Sequence, residues 1–389
     1  MRFAQGSRHC ARSYNAGMAP AFDVCIRGAG IVGRTLALLL ARERLRVGLV
    51  DQQPVAGSGP SDVRAYALNP ASRELLETLR AWPDDAHATP VAAMRVHGDE
   101  GGEVSFDAAD QGVAALAWIV DVAALQERLG EALRYQPLVE RLAAPQPAAL
   151  TVVCEGRASA TRAEFGVQFE VASYPQRAIA ARLACEKPHG FVARQWFSGG
   201  EIMALLPMGG SPGAAHGNSV ALVWSVRDER ADRLLALDPA AFALEVEQAC
   251  GRELGAMTLA SQRAAWPLQL ARADRWCGPG WALAGDAAHT VHPLAGQGLN
   301  LGLADAKVLA DVLRGREYWR GVDDPKLLRR YERSRKADVL AMSATTDGLQ
   351  QLFAQPSGAW TMLRNWGMKG FEHSGPLKHW VARQAMGRL

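Results

Sequence analysis

Six cysteines among 389 residues, none in a Cys-x-x-Cys pair and none grouped with histidines, indicate neither a disulfide framework nor a zinc site. They fit a reducing, cytoplasmic compartment best. Also missing is any run of about 18 apolar residues. The longest candidate, residues 31–40, is interrupted by Arg34 and followed by charges, so no membrane-spanning helix is expected. Charge of one sign is scarce too: 43 basic against 40 acidic residues leave +3, too little for the basic footprint of a nucleic-acid-binding protein. No internal repeat, low-complexity tract or nucleophile paired with a base is visible. What remains is ordinary for a globular chain, 49% hydrophobic and 21% charged, and long enough for about two or three core-bearing units.

Hydrophobic periodicity predicts a strand at 23–27, a helix at 31–45 and a strand at 46–50 that ends at Asp51, which is a βαβ beginning. A Pro, Gly and Ser cluster over 53–60 marks a loop, and 69–79 reads as a helix. Two alternating runs within 94–106, split by Asp99 to Gly102, predict a hairpin, and 122–133 returns to helical spacing. A brief apolar strand is expected at 151–154. Strand-like segments at 167–172, 177–185, 191–197, 201–206 and 219–226 predict an antiparallel sheet. Residues 234–250 read as one helix, 280–284 as a buried strand and 298–314 as a helix, with the remainder mostly helical.

Gly28-Ala29-Gly30-Ile31-Val32-Gly33 falls between predicted strand and helix, the context a dinucleotide fingerprint requires. Gly28 permits the tight turn, Gly30 lets backbone amides approach a pyrophosphate and Gly33 lets the helix pack on the strand. The helix N-terminus adds partial positive charge, and Asp51 is placed to accept hydrogen bonds from a ribose. This motif alone leaves NAD and FAD both open, and an ordinary βαβ turn is the bland alternative.

A second stretch runs Gly285-Asp-Ala-Ala-His-Thr-Val-His-Pro-Leu-Ala-Gly-Gln-Gly-Leu-Asn-Leu-Gly302. Asp286 follows a buried strand, a common ligand position in α/β sheets, where a carboxylate can hold ribityl or ribose hydroxyls. Pro293 to Gly298 leads into a helix whose start suits developing negative charge, and Gly296 and Gly298 permit close backbone approach. His289 and His292 are three apart, but nothing completes a metal set, so local hydrogen bonding around the turn is expected of both.

Residues 285–306 closely resemble the flavin hydroxylases of ubiquinone biosynthesis, single-component FAD-dependent aromatic hydroxylases acting on polyprenyl phenols. Further matching stretches are Asp62-Val-Arg-Ala-Tyr-Ala-Leu68, Trp118-Ile-Val-Asp121, Tyr174-Pro-Gln-Arg-Ala-Ile-Ala180, Glu186-Lys-Pro-His189 and Leu206-Pro-Met208. The similarity runs in order from about residue 21 to the C-terminus. The resemblance implies an α/β fold. A Rossmann-like FAD-binding domain of the aromatic-hydroxylase type is joined to an antiparallel-sheet substrate domain and a helical C-terminus. The expected division is a leader at 1–20, a discontinuous FAD domain at 21–90, 113–165 and 263–350, a substrate domain at 91–112 and 166–262, and a C-terminal segment at 351–389.

By the same resemblance, Arg64 lies beside the flavin and ribityl chain, and Asp286 binds the ribityl or pyrophosphate part. Pro293, Gly296, Gln297 and Gly298 line the isoalloxazine ring. Three departures stand out. Glu155, followed by Gly156, Ser159 and Arg162, replaces the usual Asp as a cofactor contact. Residues 141–151 lack what is normally a hairpin, and Val122 sits where relatives often carry a polar flavin contact. These departures point either to weakened FAD affinity or to backbone groups taking over.

The activity so implied is an NAD(P)H-driven, FAD-dependent monooxygenation. A flavin C4a-hydroperoxide transfers OH from dioxygen to the ring of a polyprenylated phenol or benzoquinol in ubiquinone biosynthesis. The protein positions the ring and excludes water. Two rival readings are a hydroxylase of a soluble aromatic and a non-catalytic accessory subunit of the biosynthetic complex. From Pro356 on, Trp360, Leu363, Trp366, Phe371 and Trp380 accompany Arg364, Lys369, Lys378, Arg383 and Arg388. That composition suits either peripheral contact with the inner membrane or a core-packing tail. Residues 1–20, with Arg2, Arg8, Arg12 and no acid, are expected to be a disordered leader, to precede a start at Met18, or to be a transit peptide.

Overall fold

Residues 21–51, 62–98, 101–210, 217–291 and 297–354 are described by the computed structural model, backbone alone from residue 342. The expected leader and the aromatic-basic stretch after Pro356 lie outside these residues. The chain opens with β1 (Phe22–Arg27), α1 (Ile31–Arg42) and β2 (Val47–Val50), the anticipated βαβ start. Val24 and Ile26 are fully buried together with Leu36 and Leu40 of α1, as expected of a parallel sheet covered on its faces. β3 (Ala65–Leu68), α2 (Pro70–Thr78) and β4 (Ala88–Val91) follow. Asn69 caps α2 by accepting from the Ser72 amide, with Pro70 in its first turn.

β5 (Ala93–His97) and β6 (Glu103–Asp107) form the predicted hairpin, and β7 (Ala117–Asp121) leads directly into α3 (Val122–Arg134). Asp121 caps α3 through the amides of Ala123 and Ala124, and its carboxylate also meets the Arg182 guanidinium at 2.6 Å. Next come β8 (Val139–Leu142), β9 (Ala148–Val153) and the short α4 (Thr161–Glu164). Residues 143–147 alone connect β8 to β9, in the span where the resemblance led to the expectation that a hairpin is missing.

The central strands are β10 (Phe169–Cys185), β11 (Val192–Ser198), β12 (Glu201–Met208) and β13 (Ser219–Arg227). Then follow α5 (Asp228–Ala236), α6 (Pro239–Ala249), β14 (Met257–Leu259) and β15 (Ala264–Ala273). The described chain ends with β16 (Cys277–Gly278), β17 (Trp281–Leu283), β18 (His289–Thr290), α7 (Gln297–Arg314) and α8 (Pro325–Ala354).

Three sheets organise these elements. The first has strand order β16-β17-β9-β1-β2-β8, parallel except for β16 against β17. Its core, built on Val24, Ile26, Val47 and Leu49, continues into α1, α3, α7 and α8. The second runs β18-β15-β10-β13-β12-β11-β5-β6, with β14 pairing β10, and is antiparallel apart from β11 against β5. A small sheet, β3-β7-β4, is the third. Strands of four or five residues without clear alternation gave no periodic signal for it.

The structure corrects several expectations. The strands anticipated at 167–172 and 177–185 are one strand, β10, bent where the pairing with β15 shifts between Ser173 and Arg177. The single helix expected over 234–250 is two helices. Asp238 caps α6 through the amides of Ala240 and Ala241, and Pro239 can open a helix but cannot continue one. β15, which falls within the expected 263–350 part of the FAD domain, pairs with β10 and extends the large sheet.

Candidate functional site

The turn after β1 shows why its glycines are needed. Gly28 has φ of +110°, and a Cβ there would lie 2.5 Å from the Cys154 carbonyl oxygen. At Gly33 a Cβ would lie 2.0 Å from the Gly28 oxygen, so only glycine lets α1 leave the strand so closely. Gly30 differs: no atom lies within 4 Å of where its Cβ would be. The space beside the first turn of α1 is thus open, a cradle able to take a pyrophosphate against the helix N-terminus. Asp51 closes β2, its carboxylate 4.0 Å from Arg34 Nη2. Arg34 is itself held by the carbonyls of Ala29 and Gln126.

The turn carrying Asp286 is a single 3-10 turn, Gly285–Ala287, built over a buried charged cluster. Asp305 of α7, fully buried, accepts from the Gly285 amide at 2.8 Å. It also meets His289 Nε2 at 2.6 Å and Arg335 Nε of α8 at 2.7 Å. Trp276 stacks on the His289 ring, and the Tyr331 hydroxyl donates to the Leu283 carbonyl. Burial alone would raise the Asp305 pKa. The adjoining His289 and Arg335 outweigh it and hold the carboxyl below its ordinary value. His289 is therefore tied to α7 rather than to its own turn, while His292 lies outside the described residues.

Asn300, also on α7, binds the turn from β3 into α2. Its Oδ1 accepts from the Asn69 amide and the Ser72 hydroxyl, and its Nδ2 donates to the Ala67 carbonyl. Gly302 and Gly285 both abut Val32 of α1, where a Cβ on Gly302 would fall 2.7 Å from a Val32 methyl. The glycine turn and the Asp286 turn are thereby packed against one another.

Between the Asp286 turn and the large sheet lies a cavity of about 470 Å³. Arg64, Tyr66, Gly156, Arg157, Asp286 and Gly298 form its polar side. The Asp286 carboxylate is open to the cavity but enclosed by its walls. That enclosure raises its pKa, against the pull of His289, Arg157 and Arg64. Arg64 is held by Asp62 at 2.8 and 2.6 Å. Burial works to raise the Asp62 pKa, but Arg64 keeps it below the ordinary carboxylate range. No Cβ contact stands over Gly156 or Gly298, so backbone faces the cavity there.

Not every anticipated residue joins this wall. Glu155 points away, its carboxylate taken by the Ser159 and Thr161 hydroxyls at 2.8 and 2.6 Å and by Arg27 at 3.2 Å. The longer side chain thus serves the start of α4 instead of the cavity. Gln297 opens α7, and its side chain accepts from Asn300 at 3.2 Å. Pro293 and Gly296 lie outside the described residues. Asn300, Asp305 and Arg335 were missed because each is polar on an otherwise apolar helical face, which only the packing of α7 and α8 explains. The available signal was a buried-face position on a predicted helix occupied by a charge.

The chemistry open to the cavity is limited. Burial pushes the Cys185 and Cys277 thiols up to about 12 and raises Cys154 as well, so none of the three supplies a thiolate near neutral pH. The arrangement suits a flat, charged ligand held at the polar side with an apolar partner over the sheet.

Comparison with known proteins agrees with this geometry. The family described as "FAD binding domain" matches residues 145–346. "Ubiquinone hydroxylase UbiL" of Rhodospirillum rubrum is 32% identical, covering 94% of this chain and 90% of its own. "3-demethoxyubiquinol 3-hydroxylase" of Escherichia coli is 31% identical over 94% of this chain and 98% of its own. In fold, the chain resembles the crystal structure of PqsL, described as a probable FAD-dependent monooxygenase from Pseudomonas aeruginosa. The TM-score is 0.72 at 23% identity, over 90% of this chain and 99% of that one.

Proposed function

Because the chain belongs to the ubiquinone-biosynthesis flavin hydroxylases and is an FAD-dependent monooxygenase, we propose that it hydroxylates the ring of a polyprenylated phenol or benzoquinol, with electrons from NADH or NADPH. The observation that carries this reading is the cavity itself, with Arg64, Asp286 and Gly298 on one side and an apolar sheet on the other. The open space at Gly30 and the bare backbone at Gly156 and Gly298 fit FAD, since they leave room for a cofactor to approach the backbone.

Bound FAD supplies the redox and oxygen chemistry. The Gly28 to Gly33 turn would hold the pyrophosphate and Asp51 the adenosine ribose, while Asp286 would accept from the ribityl hydroxyls. Arg64 and Arg157 would bring positive charge to the flavin side, and the start of α7 at Gln297 and Gly298 would face the ring. Glu155 is left with an indirect part, bracing Arg27 and α4. The sheet and the Asp286 side together would exclude water from the reacting ring. We further assign the first sheet and its helices to the cofactor domain and the large sheet, β15 included, to the substrate domain.

No helix among the described residues is long and apolar enough to cross a membrane. A polyprenyl substrate resides in the bilayer, so the proposal includes peripheral contact with the cytoplasmic face of the inner membrane and with other enzymes of the pathway. The test is to incubate the FAD-loaded protein with NADH or NADPH, dioxygen and a prenylated phenol. Mass spectrometry should find one labelled oxygen from ¹⁸O₂ in the product. A yellow protein that oxidises the nicotinamide cofactor but never labels the phenol would overturn the reading.

A further inference from the structure

We propose that the cavity encloses only the aromatic head of the substrate and its first isoprenoid unit, and leaves the rest of the chain outside the protein; this rests on the functional reading above. The strand registers carry the argument. Ala178, Ser225 and Ile202 lie in one row across β10, β13 and β12; Ala180, Val223 and Ala204 form the next, and Ala221 and Leu206 pair beyond it. All eight line the cavity. On the opposite face of the same strands, Ile179, Leu183, Met203, Leu205 and Trp224 are packed into the core with α5 and α6.

Five of the eight positions on the cavity face are thus alanine or serine, the others being Ile202, Val223 and Leu206, while large side chains dominate the core face. The short side chains at Ala178, Ala180, Ala204, Ala221 and Ser225 leave space that the backbone, fixed by the packing behind it, does not close. The resulting 470 Å³ lies low in the range of about 300 to 1,000 Å³ that encloses a single drug-sized ligand. The same cavity carries the flavin-side residues Arg64 and Asp286, so the flavin ring takes a share of it. What is left suits a phenol ring and a short alkenyl group over Ile202, Val223 and Leu206. A long polyprenyl chain does not fit as well.

The full-length, FAD-loaded protein in neutral detergent tests this with three phenols: unprenylated, carrying a single isoprenoid unit, and carrying a long polyprenyl chain. The two prenylated substrates should have kcat/KM within about threefold of each other, and the unprenylated one should fall about tenfold or more below them, as expected for loss of buried apolar contact. A rise of about tenfold or more from the single unit to the long chain would overturn the inference, because the protein would then be binding the tail. Ala204→Phe should reduce kcat/KM for both prenylated substrates about tenfold while FAD absorbance is retained, since it overpacks the floor. Normal turnover by that variant with FAD bound would also sink it. Failure of the wild-type protein to hydroxylate any prenylated phenol would instead remove the functional reading on which the inference stands.

Discussion

Asp286 and Asp305 sit nineteen positions apart on either side of one turn and have opposite electrostatics. Asp286 faces the cavity with a raised pKa, whereas Asp305 is buried among cations with a lowered one. Asp286→Asn keeps the size but removes the acceptor charge, so the purified variant should fold normally and lose most of its bound FAD, read from absorbance near the flavin band. Retention of full flavin content would remove Asp286 from the cofactor site. Arg335→Met should be far more damaging to stability. It leaves the Asp305 carboxylate buried without its guanidinium, a loss of about 3–5 kcal/mol, measurable by urea denaturation. The pH dependence follows from the lowered Asp305 pKa. Its stabilisation is present above the unfolded value of about 3.9 and disappears as the pH falls through the folded value. Asp305→Asn should flatten the acid limb of the stability profile below about pH 4, and an unchanged limb would show that other carboxylates control it.

Among the elements, α1 joins fold and site most directly. Its glycines do separate jobs, and alanine substitutions should pull those jobs apart. A Cβ at position 33 collides with the Gly28 carbonyl, so Gly33→Ala should destabilise the βαβ unit by about 1–3 kcal/mol through overpacking. Gly30 has φ of −72° and open space ahead of it, so Gly30→Ala should leave the melting temperature of the apoprotein unchanged and still weaken FAD binding. Thermal melts of the two variants with and without FAD distinguish the outcomes; equal destabilisation of both apoproteins would contradict the assignment. The glycine spacing, strand and helix were readable in the chain because each follows from local sterics. The break between α5 and α6 was readable too, in Asp238-Pro239, but the apolar periodicity across it dominated the reading.

For the molecule as a whole, the cofactor is expected to add to the contacts between the layers, where Arg182 meets Asp121 at 2.6 Å and Val153, Leu283 and Ala273 share one apolar cluster. Saturating FAD at about 100 times its Kd should then stabilise the fold by about 2.7 kcal/mol. In calorimetry the two layers should melt together in its presence. A holoprotein that unfolds in two separate steps, with FAD retained through the first, would contradict a site built from both.

The nucleotide turn, the residue types at 285–302 and the broad α/β plan are consequences of local chemistry: glycines where φ is positive or backbones touch, a carboxylate past a buried strand, alternating apolar runs. They could be read from order alone. Tertiary structure decided which polar side chains are structural and which face the cavity. Glu155 turned to α4, His289 turned to Asp305, and Ala178, Ala180, Ala204 and Ala221 became one floor. Those outcomes depend on register and on the packing of α7 and α8. A one-residue shift of a strand exchanges its faces, and the energy that selects the register is spread over distant partners rather than written in any one segment.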